Sequence, residues 1–224
     1  MILEAHDLVK TYSRQGKTFE AVSHVSISAG KGQVLVLTGP SGCGKSTLFH
    51  MLSGIITPDG GSITVNGREI TSLSKKERTD LRSQGISYVL QGDSLLYNFT
   101  VLENVCLPSL LKSGTGKNEI REKAMELLKQ FGMEPLAQSY PSELSGGERR
   151  RAAIARALIP SPSVIIADEP TADLDEENTA IILDCFLNQK DKAVLISTHD
   201  LSCLRKGVRH YTMRKGVMEY AGIV

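Results

Sequence analysis

The feature that most constrains the fold of this chain is a glycine-rich segment between a run of β-formers and a potential helix. Residues 39–46 read Gly-Pro-Ser-Gly-Cys-Gly-Lys-Ser and fit the pattern G-x-x-x-x-G-K-[ST]. A run of β-formers, residues 33–38, precedes the segment, and residues 46–52 can continue it as a helix. A strand, loop and helix in this order place backbone N–H groups and the positive end of a helix dipole around an anion. The pattern therefore predicts a phosphate-binding loop.

Within this loop, the residue types indicate how a nucleotide would be held. Lys45 would reach the β- and γ-phosphates, and the hydroxyl of Ser46 would ligate Mg²⁺. Glycines let the backbone approach phosphate oxygens without an intervening Cβ. The alternative is an ordinary glycine turn, which the preceding strand disfavours. The predicted nucleotide-binding residues of the loop are Gly39, Pro40, Ser41, Gly42, Cys43, Gly44, Lys45, Ser46 and Thr47.

A pair of acidic residues follows another strand-like run. Residues 164–167 are apolar, and Asp168 and Glu169 come directly after them. Ionised carboxylates at the end of a buried strand are costly without a cation. We expect Asp168 to hold Mg²⁺ through water, as a Walker B aspartate does, and Glu169 to act as the general base for the attacking water. The alternative is an acidic helix start, since Pro170 follows, but the phosphate loop makes that weaker.

Three runs of residues indicate the class of fold. Residues 33–38 are a run of β-formers, and residues 164–167 and 193–196 are apolar, as is typical of strands buried on both faces of a parallel sheet. Each run leads into polar or glycine-rich residues. Ligands of open α/β sheets bind beyond the carboxyl ends of the strands. The sequence therefore predicts an α/β fold whose site lies where these runs end.

The N-terminal part has a different pattern. Residues 3–9, 19–27 and 62–65 look like short strands, and Asn66-Gly67 is a turn signal. They predict a small antiparallel β-subdomain.

The middle of the chain is more helical. Apolar residues recur at helical spacing over 118–131, Gly132 is a plausible end of that helix, and residues 113–116 look like a flexible loop. We interpret 1–224 as a single domain in which an α-helical subdomain, 92–160, is inserted into a catalytic α/β core formed by 1–91 and 161–224.

Composition excludes several classes of protein. With a formal net charge of +1 the chain lacks a polybasic character, so we expect no nucleic-acid partner. No apolar run approaches the roughly 20 residues that span a bilayer, and the N-terminus lacks a signal-peptide pattern. We expect a soluble, cytoplasmic chain. Its four scattered cysteines, expected to be reduced thiols, are Cys43, Cys106, Cys185 and Cys203.

Residues 144–148, Leu-Ser-Gly-Gly-Glu, separate this chain from other proteins with a phosphate loop, such as kinases, GTPases and helicases. They form a second glycine-rich helix start suited to an anion. Together with the helix-like 149–158, they resemble the signature motif of the ABC transporter ATPase family. The alternative is a helix cap followed by a solvated or locally paired arginine face, which would include Arg149, Arg150 and Arg151.

Other positions match this family in the same order along the chain. Gln91 resembles the Q-loop glutamine, Asp173 lies in a D-loop-like segment, and His199 resembles the H-loop histidine that contacts the γ-phosphate. Tyr12 resembles the aromatic residue that stacks on adenine, with Phe19 as the competitor. Two departures are mild: Glu148 stands where glutamine is frequent, and Ala172 stands where serine is frequent.

The resemblance implies a P-loop NTPase (RecA-like) core that binds ATP and Mg²⁺ and hydrolyses ATP. It implies a head-to-tail dimer, with a second copy or with a related ATPase subunit, that encloses two ATP molecules. The partner's ATP would face Ser145, Gly146, Gly147, Glu148 and Asp173. The implied catalytic residues are Lys45, Gln91, Glu169 and His199, and the implied metal ligands are Ser46, Gln91 and Asp168.

Residues 100–108 are most similar to the macrolide-export, lipoprotein-release and cell-division group. This implies an integral membrane permease subunit, attachment to the inner face of the cell membrane through it, and export or mechanical work on lipophilic or peptide substrates. The sequence leaves open an importer ATPase, a soluble ABC ATPase unconnected with transport, and a non-hydrolysing ATP sensor, although the catalytic residues disfavour the last.

Overall fold

The computed structural model describes residues 1–92, 94–111, 116–201 and 204–224, and only the backbone of Gln84. Most of the predicted loop at 113–116, and Cys203, lie outside these ranges. The strands are β1 (Leu3–Arg14), β2 (Lys17–Ala29), β3 (Val34–Thr38), β4 (Gly60–Val65), β5 (Arg68–Glu69), β6 (Ile86–Val89), β7 (Val164–Asp168), β8 (Ala193–Thr198), β9 (Arg209–Arg214) and β10 (Val217–Ile223). The helices are α1 (Lys45–Leu52), α2 (Lys75–Gly85), α3 (Val101–Leu110), α4 (Lys117–Gln130), α5 (Gly146–Leu158) and α6 (Glu176–Leu187).

The larger sheet has the order β10-β9-β3-β8-β7-β6. Strands β9, β3, β8, β7 and β6 are parallel, and β10 is antiparallel at one edge. The three strand-like runs form β3, β7 and β8, and every residue of these strands is buried. Their carboxyl ends meet at one edge of the sheet, where Thr38 is in register with Thr198, and Asp168 with Ser197. The α/β fold with a parallel sheet is confirmed.

The smaller sheet is antiparallel, as predicted, with the order β2-β1-β4-β5. Its hairpin is longer than the apolar runs indicated, because Gln15 and Gly16 form a two-residue turn with positive φ at both positions. The added residues are mostly exposed and polar, so they carry no apolar alternation. Backbone pairing alone extends the strands there.

The helices have clear local causes. Thr100 and Glu103 form a capping box at the start of α3. In α4, Ile120, Ala124 and Leu128 form the buried stripe. Gly132 follows with φ 65°, and its N–H donates to the carbonyl of Lys129, which confirms the predicted helix end.

Helices α3, α4 and α5 pack on one another, and α5 also packs on β6. One hydrophobic cluster joins these helices to one face of the larger sheet, and a second cluster lies between the other face, α1 and the smaller sheet. The division at residues 92 and 160 stays a prediction. Within the described ranges, no helix has both the length and the apolarity to cross a membrane.

Candidate nucleotide-binding site

The glycine-rich loop has the structural context that its sequence predicts. It follows β3 and leads into α1, which starts at Lys45 with Gly44 as its N-cap. Gly44 has φ 115°, and an added Cβ would lie 2.1 Å from the carbonyl oxygen of Ala21 in β2. A glycine is therefore required here by packing against the smaller sheet as well as by the turn itself.

A cleft of about 560 Å³ opens beside this loop, a size in the usual range for small-molecule sites. Residues from both sheets and from α1 contribute to it. Its lining consists of Tyr12, Phe19, Ala21, Ser41, Gly42, Gly44, Lys45, Ser46, Thr47, Gln91, Glu169 and His199.

Two aromatic rings form one wall of the cleft. Tyr12 and Phe19 are cross-strand partners in the β1–β2 hairpin, and their ring centroids are 6.3 Å apart. Both rings are partly exposed. Since both line the cleft, the structure offers two aromatic faces to a planar base where the sequence indicated a choice between them.

The Lys45 ammonium group lies among oxygen atoms at the base of the cleft. Its Nζ donates to the carbonyl of Gly39 at 2.7 Å and to that of Pro40 at 3.4 Å. The Nζ is also 3.5 Å from Oε1 of Glu169. The buried lysine charge is thus compensated by the loop carbonyls and by the Glu169 carboxylate.

Glu169 occupies a strained position directly after β7. Its φ is 48°, and its backbone N–H donates to the carbonyl and the hydroxyl of Ser197, at 3.1 and 3.0 Å. Its Oε2 is 3.0 Å from Nδ1 of His199, whose side chain is 69% exposed. The buried carboxylate therefore lies between a lysine and an accessible histidine, at the ends of β3, β7 and β8.

Asp168 has different neighbours. It is 5% exposed, Ser197 donates from Oγ to its Oδ1, and the phenol of Tyr88 donates to its Oδ2 at 3.2 Å. Burial, and then the negative charge of Asp168, raise the pKa of Tyr88 above its usual range, so the phenol stays a donor. Among the described residues, no basic side chain is ion-paired with Asp168.

Asp168 and the oxygen-bearing side chains of the cleft fit Mg²⁺. A buried carboxylate met only by neutral hydroxyls favours a cation, and Ser46 and Gln91 supply further oxygen atoms of the kind that Mg²⁺ prefers. The described part of the chain has no cluster of three or more His, Cys, Asp and Glu side chains suited to a metal. Mg²⁺ needs none, since it is usually held by one or two carboxylates, water and phosphate oxygens.

The second glycine-rich segment forms the start of α5. Ser145 accepts from the N–H of Glu148, and the Glu148 carboxylate accepts from the N–H of Ser145 at 2.7 Å, which completes a capping box. The backbone N–H of Ser145, and then its hydroxyl, lower the pKa of Glu148. None of residues 144–148 lines the cleft of the same chain.

Comparison with known proteins decides the family. A family model described as ABC transporter matches residues 22–172 of the chain. This chain belongs to the ABC transporter ATPase family. It is 41% identical over 219 residues to the lipoprotein-releasing system ATP-binding protein LolD of Buchnera aphidicola subsp. Schizaphis graminum, covering 96% of this chain and 95% of that one.

Two solved ABC cassettes have the same fold as this ABC ATPase. One is a dimeric ATP-binding cassette in a post-hydrolysis state bound to ADP and Pi, with a TM-score of 0.87 at 30% identity. The other is a dimeric bacterial ABC transporter cassette, with a TM-score of 0.88 at 31% identity. Each alignment covers 97% of this chain and 98% of the other. The chain is therefore an ATP-binding, ATP-hydrolysing subunit of an ABC transporter, similar to the lipoprotein-release type.

The structure of this ABC ATPase places the predicted residues in two groups. The cleft collects most of the loop, Tyr12, Gln91, Glu169 and His199. Asp168, the last residue of β7, does not line the cleft. Three loop residues, Gly39, Pro40 and Cys43, do not line the cleft. Asp173, exposed and with φ 60°, and the residues Ser145, Gly146, Gly147 and Glu148 lie outside it as well.

The alternative interpretation of α5 as carrying a solvated arginine face is wrong for Arg150. Arg150 is only 6% exposed. Its guanidinium donates to the carbonyls of Leu90 and Gly92 at 2.8 and 2.7 Å. Arg151 donates to the side chain of Asn178. The reason is that α5 packs against neighbouring segments whose polar groups need donors.

Sequence reasoning missed three residues close to the site: Tyr88, Ser197 and Arg150. Their contacts join segments far apart in the chain. The one available signal was the position of Tyr88 and Ser197 near the ends of strand-like runs, where polar residues of a parallel sheet converge.

Proposed function

We propose that this ABC ATPase powers a separate membrane permease, and that it hydrolyses Mg·ATP held in the cleft of one subunit and closed by another. The observation that carries this proposal is the arrangement of Lys45, Glu169 and His199 around one point. Three strands deliver a phosphate-binding lysine, a buried carboxylate and an accessible imidazole to the same edge of the sheet. That arrangement suits phosphoryl transfer, which depends on positioning and charge.

Each residue has a proposed role in this reaction. The loop amides and Lys45 bind the phosphates, while Tyr12 and Phe19 offer ring faces to the adenine. Glu169 accepts a hydrogen bond from the attacking water and orients it, and His199 contacts the γ-phosphate. Gln91 lines the cleft, and we assign it the role of coupling nucleotide binding to the position of the segment that follows it.

Ser46, Gln91 and Asp168 are the residues proposed to hold Mg²⁺, with Asp168 acting through water. When bound there, Mg²⁺ supplies charge neutralisation on the β- and γ-phosphates. The chain's own contribution is a buried carboxylate already oriented by Ser197 and Tyr88.

A second subunit completes the site in this proposal. The helix start at Ser145–Gly147 is an anion-binding surface that does not face the cleft of its own chain. A head-to-tail pair places each such surface over the ATP of the other subunit. The partner is a second copy or a related ATPase subunit, and the two similar cassettes of known structure are dimeric.

The permease is proposed to dock beside the Gln91 loop. A second cleft of about 290 Å³ lies between α2, β6, α3 and α5. Apolar side chains are exposed on the segment from 90 to 111, most of all Leu111, at 80% exposure. Exposed apolar patches of this kind mark protein contacts. The apolar residues are Leu90, Leu96, Tyr97, Phe99, Leu110 and Leu111.

Docking there would attach the subunit to the inner face of the cell membrane. The similarity to a lipoprotein-releasing ATP-binding protein supports work on a lipophilic substrate, including export or extraction of lipoproteins, over small-solute import.

Light scattering of the Glu169→Gln variant tests the proposal. Without its base the variant binds ATP but does not hydrolyse it, so we expect a monomer without nucleotide and a dimer with Mg·ATP. Glu177→Gln, an exposed acid on α6, is the matched control and should show no stable dimer during turnover. ATP binding without any change in mass would contradict a homodimer and favour a related subunit. Failure to bind ATP would overturn the function of the loop.

A further inference from the structure

Asp168 is held from both sides by hydroxyl groups of the neighbouring strands. Ser197 of β8 donates to Oδ1, and Tyr88 of β6 donates to Oδ2. Strand β7 lies between β8 and β6 in the sheet, so the two donors approach the carboxylate from opposite sides. With one bond to each oxygen, rotation of the carboxylate plane is restricted. Each carboxylate oxygen keeps further acceptor capacity for a water molecule.

Tyr88 is itself fixed. Its ring lies 5.3 Å, centroid to centroid, from that of His50 on α1, the helix that starts at the phosphate loop. It also lies in β6, in register with Ile166 of β7. The phenol is thus tied to the same two elements, α1 and β7, that carry Ser46 and Asp168.

The hydroxyl of Ser197 contacts both members of the acidic pair. It donates to Asp168 and accepts from the backbone N–H of Glu169 at 3.0 Å. Glu169 has φ 48°, an unfavourable conformation that needs such support. Ser197 is fully buried, so water cannot replace its hydroxyl without a rearrangement.

We propose that Tyr88 and Ser197 are positioning residues for the acidic pair. Tyr88 sets the affinity for Mg²⁺ by orienting Asp168. Ser197 orients Asp168 and in addition holds the backbone of Glu169, so it affects both Mg²⁺ affinity and the hydrolysis step. This inference rests on the proposed roles of Asp168 and Glu169. Outer partners of metal-binding groups commonly act in this way.

The experiment measures binding of a fluorescent ATP analogue, first in EDTA and then during a titration with Mg²⁺. Tyr88→Phe and Ser197→Ala each remove one oxygen atom. We expect both to leave metal-free affinity unchanged and to raise the Mg²⁺ midpoint on the order of 10-fold. Tyr220→Phe and Ser142→Ala, which alter exposed residues, should match the wild type.

Steady-state kinetics separate the two residues. At saturating Mg²⁺ the kcat of Tyr88→Phe should recover, whereas the kcat of Ser197→Ala should stay low because Glu169 loses a hydrogen bond. A lower melting temperature alone would not shift a Mg²⁺ midpoint measured well below it. Each variant tests the orientation of Asp168 independently. If Ser197→Ala folds poorly, Tyr88→Phe still provides the test.

The Asp168→Asn variant distinguishes failure of the positioning inference from failure of the proposed metal site. If it raises the Mg²⁺ midpoint while Tyr88→Phe and Ser197→Ala match the wild type, the positioning inference is overturned and the metal site stands. If Asp168→Asn leaves the midpoint unchanged, the proposed metal site and the inference are both overturned.

Discussion

At the scale of single residues, adjacent glycines in this chain have different structural requirements. Gly146 and Gly147 are neighbours at the start of α5. An added Cβ on Gly146 would meet no atom within 4 Å, whereas one on Gly147 would lie 2.7 Å from the side chain of Asn178. Asn178 is bound to Asp175, the N-cap of α6, and to Arg151. The absence of a side chain at Gly147 therefore lets the first turn of α5 pack closely against the first turn of α6.

We predict that Gly147→Ala is less stable than Gly146→Ala by about 1–3 kcal/mol, because Asn178 must move and disturb the α6 cap. Gly146→Ala serves as the matched control, since it gains helix propensity in open space. Urea unfolding of both variants measures the difference. Equal free energies of unfolding would show that Asn178 adjusts without cost.

At the scale of elements, α5 is joined to the Gln91 loop by arginines. Arg150 bonds the carbonyls on either side of Gln91, and Arg156 bonds the carbonyl and hydroxyl of Ser94. Hydrogen bonds from a charged donor are among the stronger ones in proteins. These bonds therefore fix the position of α5, whose N-cap is Ser145, relative to the loop that carries Gln91.

We predict that Arg150→Met lowers the free energy of unfolding by about 1–3 kcal/mol, because the carbonyls of Leu90 and Gly92 lose their charged donor. Hydrogen exchange should rise locally at the amides of Gln91 and Gly92, while β7 and β8 stay protected. Arg121→Met, a change on the exposed side of α4, is the control. Exchange raised evenly over the whole chain, or nowhere, would contradict a local link between α5 and the loop.

At the scale of the whole molecule, the cleft and the start of α5 are separate surfaces of one chain. A site that needs both must take them from two chains. Two-fold symmetry then gives two sites, each with the loop of one subunit and the α5 start of the other.

Complementation tests this arrangement. Lys45→Ala damages the loop and Ser145→Arg damages the α5 start, so we predict that each variant alone is inactive. Mixed in equal amounts they form some dimers with one intact site, and turnover should recover to roughly one quarter of the wild-type value. The ATPase rate of the mixture is the measurement, with Lys45→Ala mixed with Glu169→Gln as the control that has no intact site. No recovery at all would contradict sites shared between chains.

Local sequence patterns predict the parts of this protein that depend on neighbouring residues. The strand, loop and helix around Lys45, the buried runs of β3, β7 and β8, and the acidic pair after β7 could all be predicted, since each is set by local pattern and strand burial. The hairpin β9–β10 and the polar ends of β1 and β2 were missed, because β10 and these ends expose most of their side chains and so leave a weak apolar signal.

Contacts between groups that are distant in the chain follow from the folded arrangement of the strands and helices. Tyr88 and Asp168 are 80 positions apart in the chain, and Ser197 and Asp168 are 29 apart. They touch because β7 lies between β6 and β8, an order that no local pattern encodes. Arg150 looked like a surface residue for the same reason: its acceptors belong to a loop some 60 positions earlier, at Leu90. Side-chain partners across a sheet or between helices follow from packing of the whole fold, which leaves few buried polar groups without a hydrogen-bond partner.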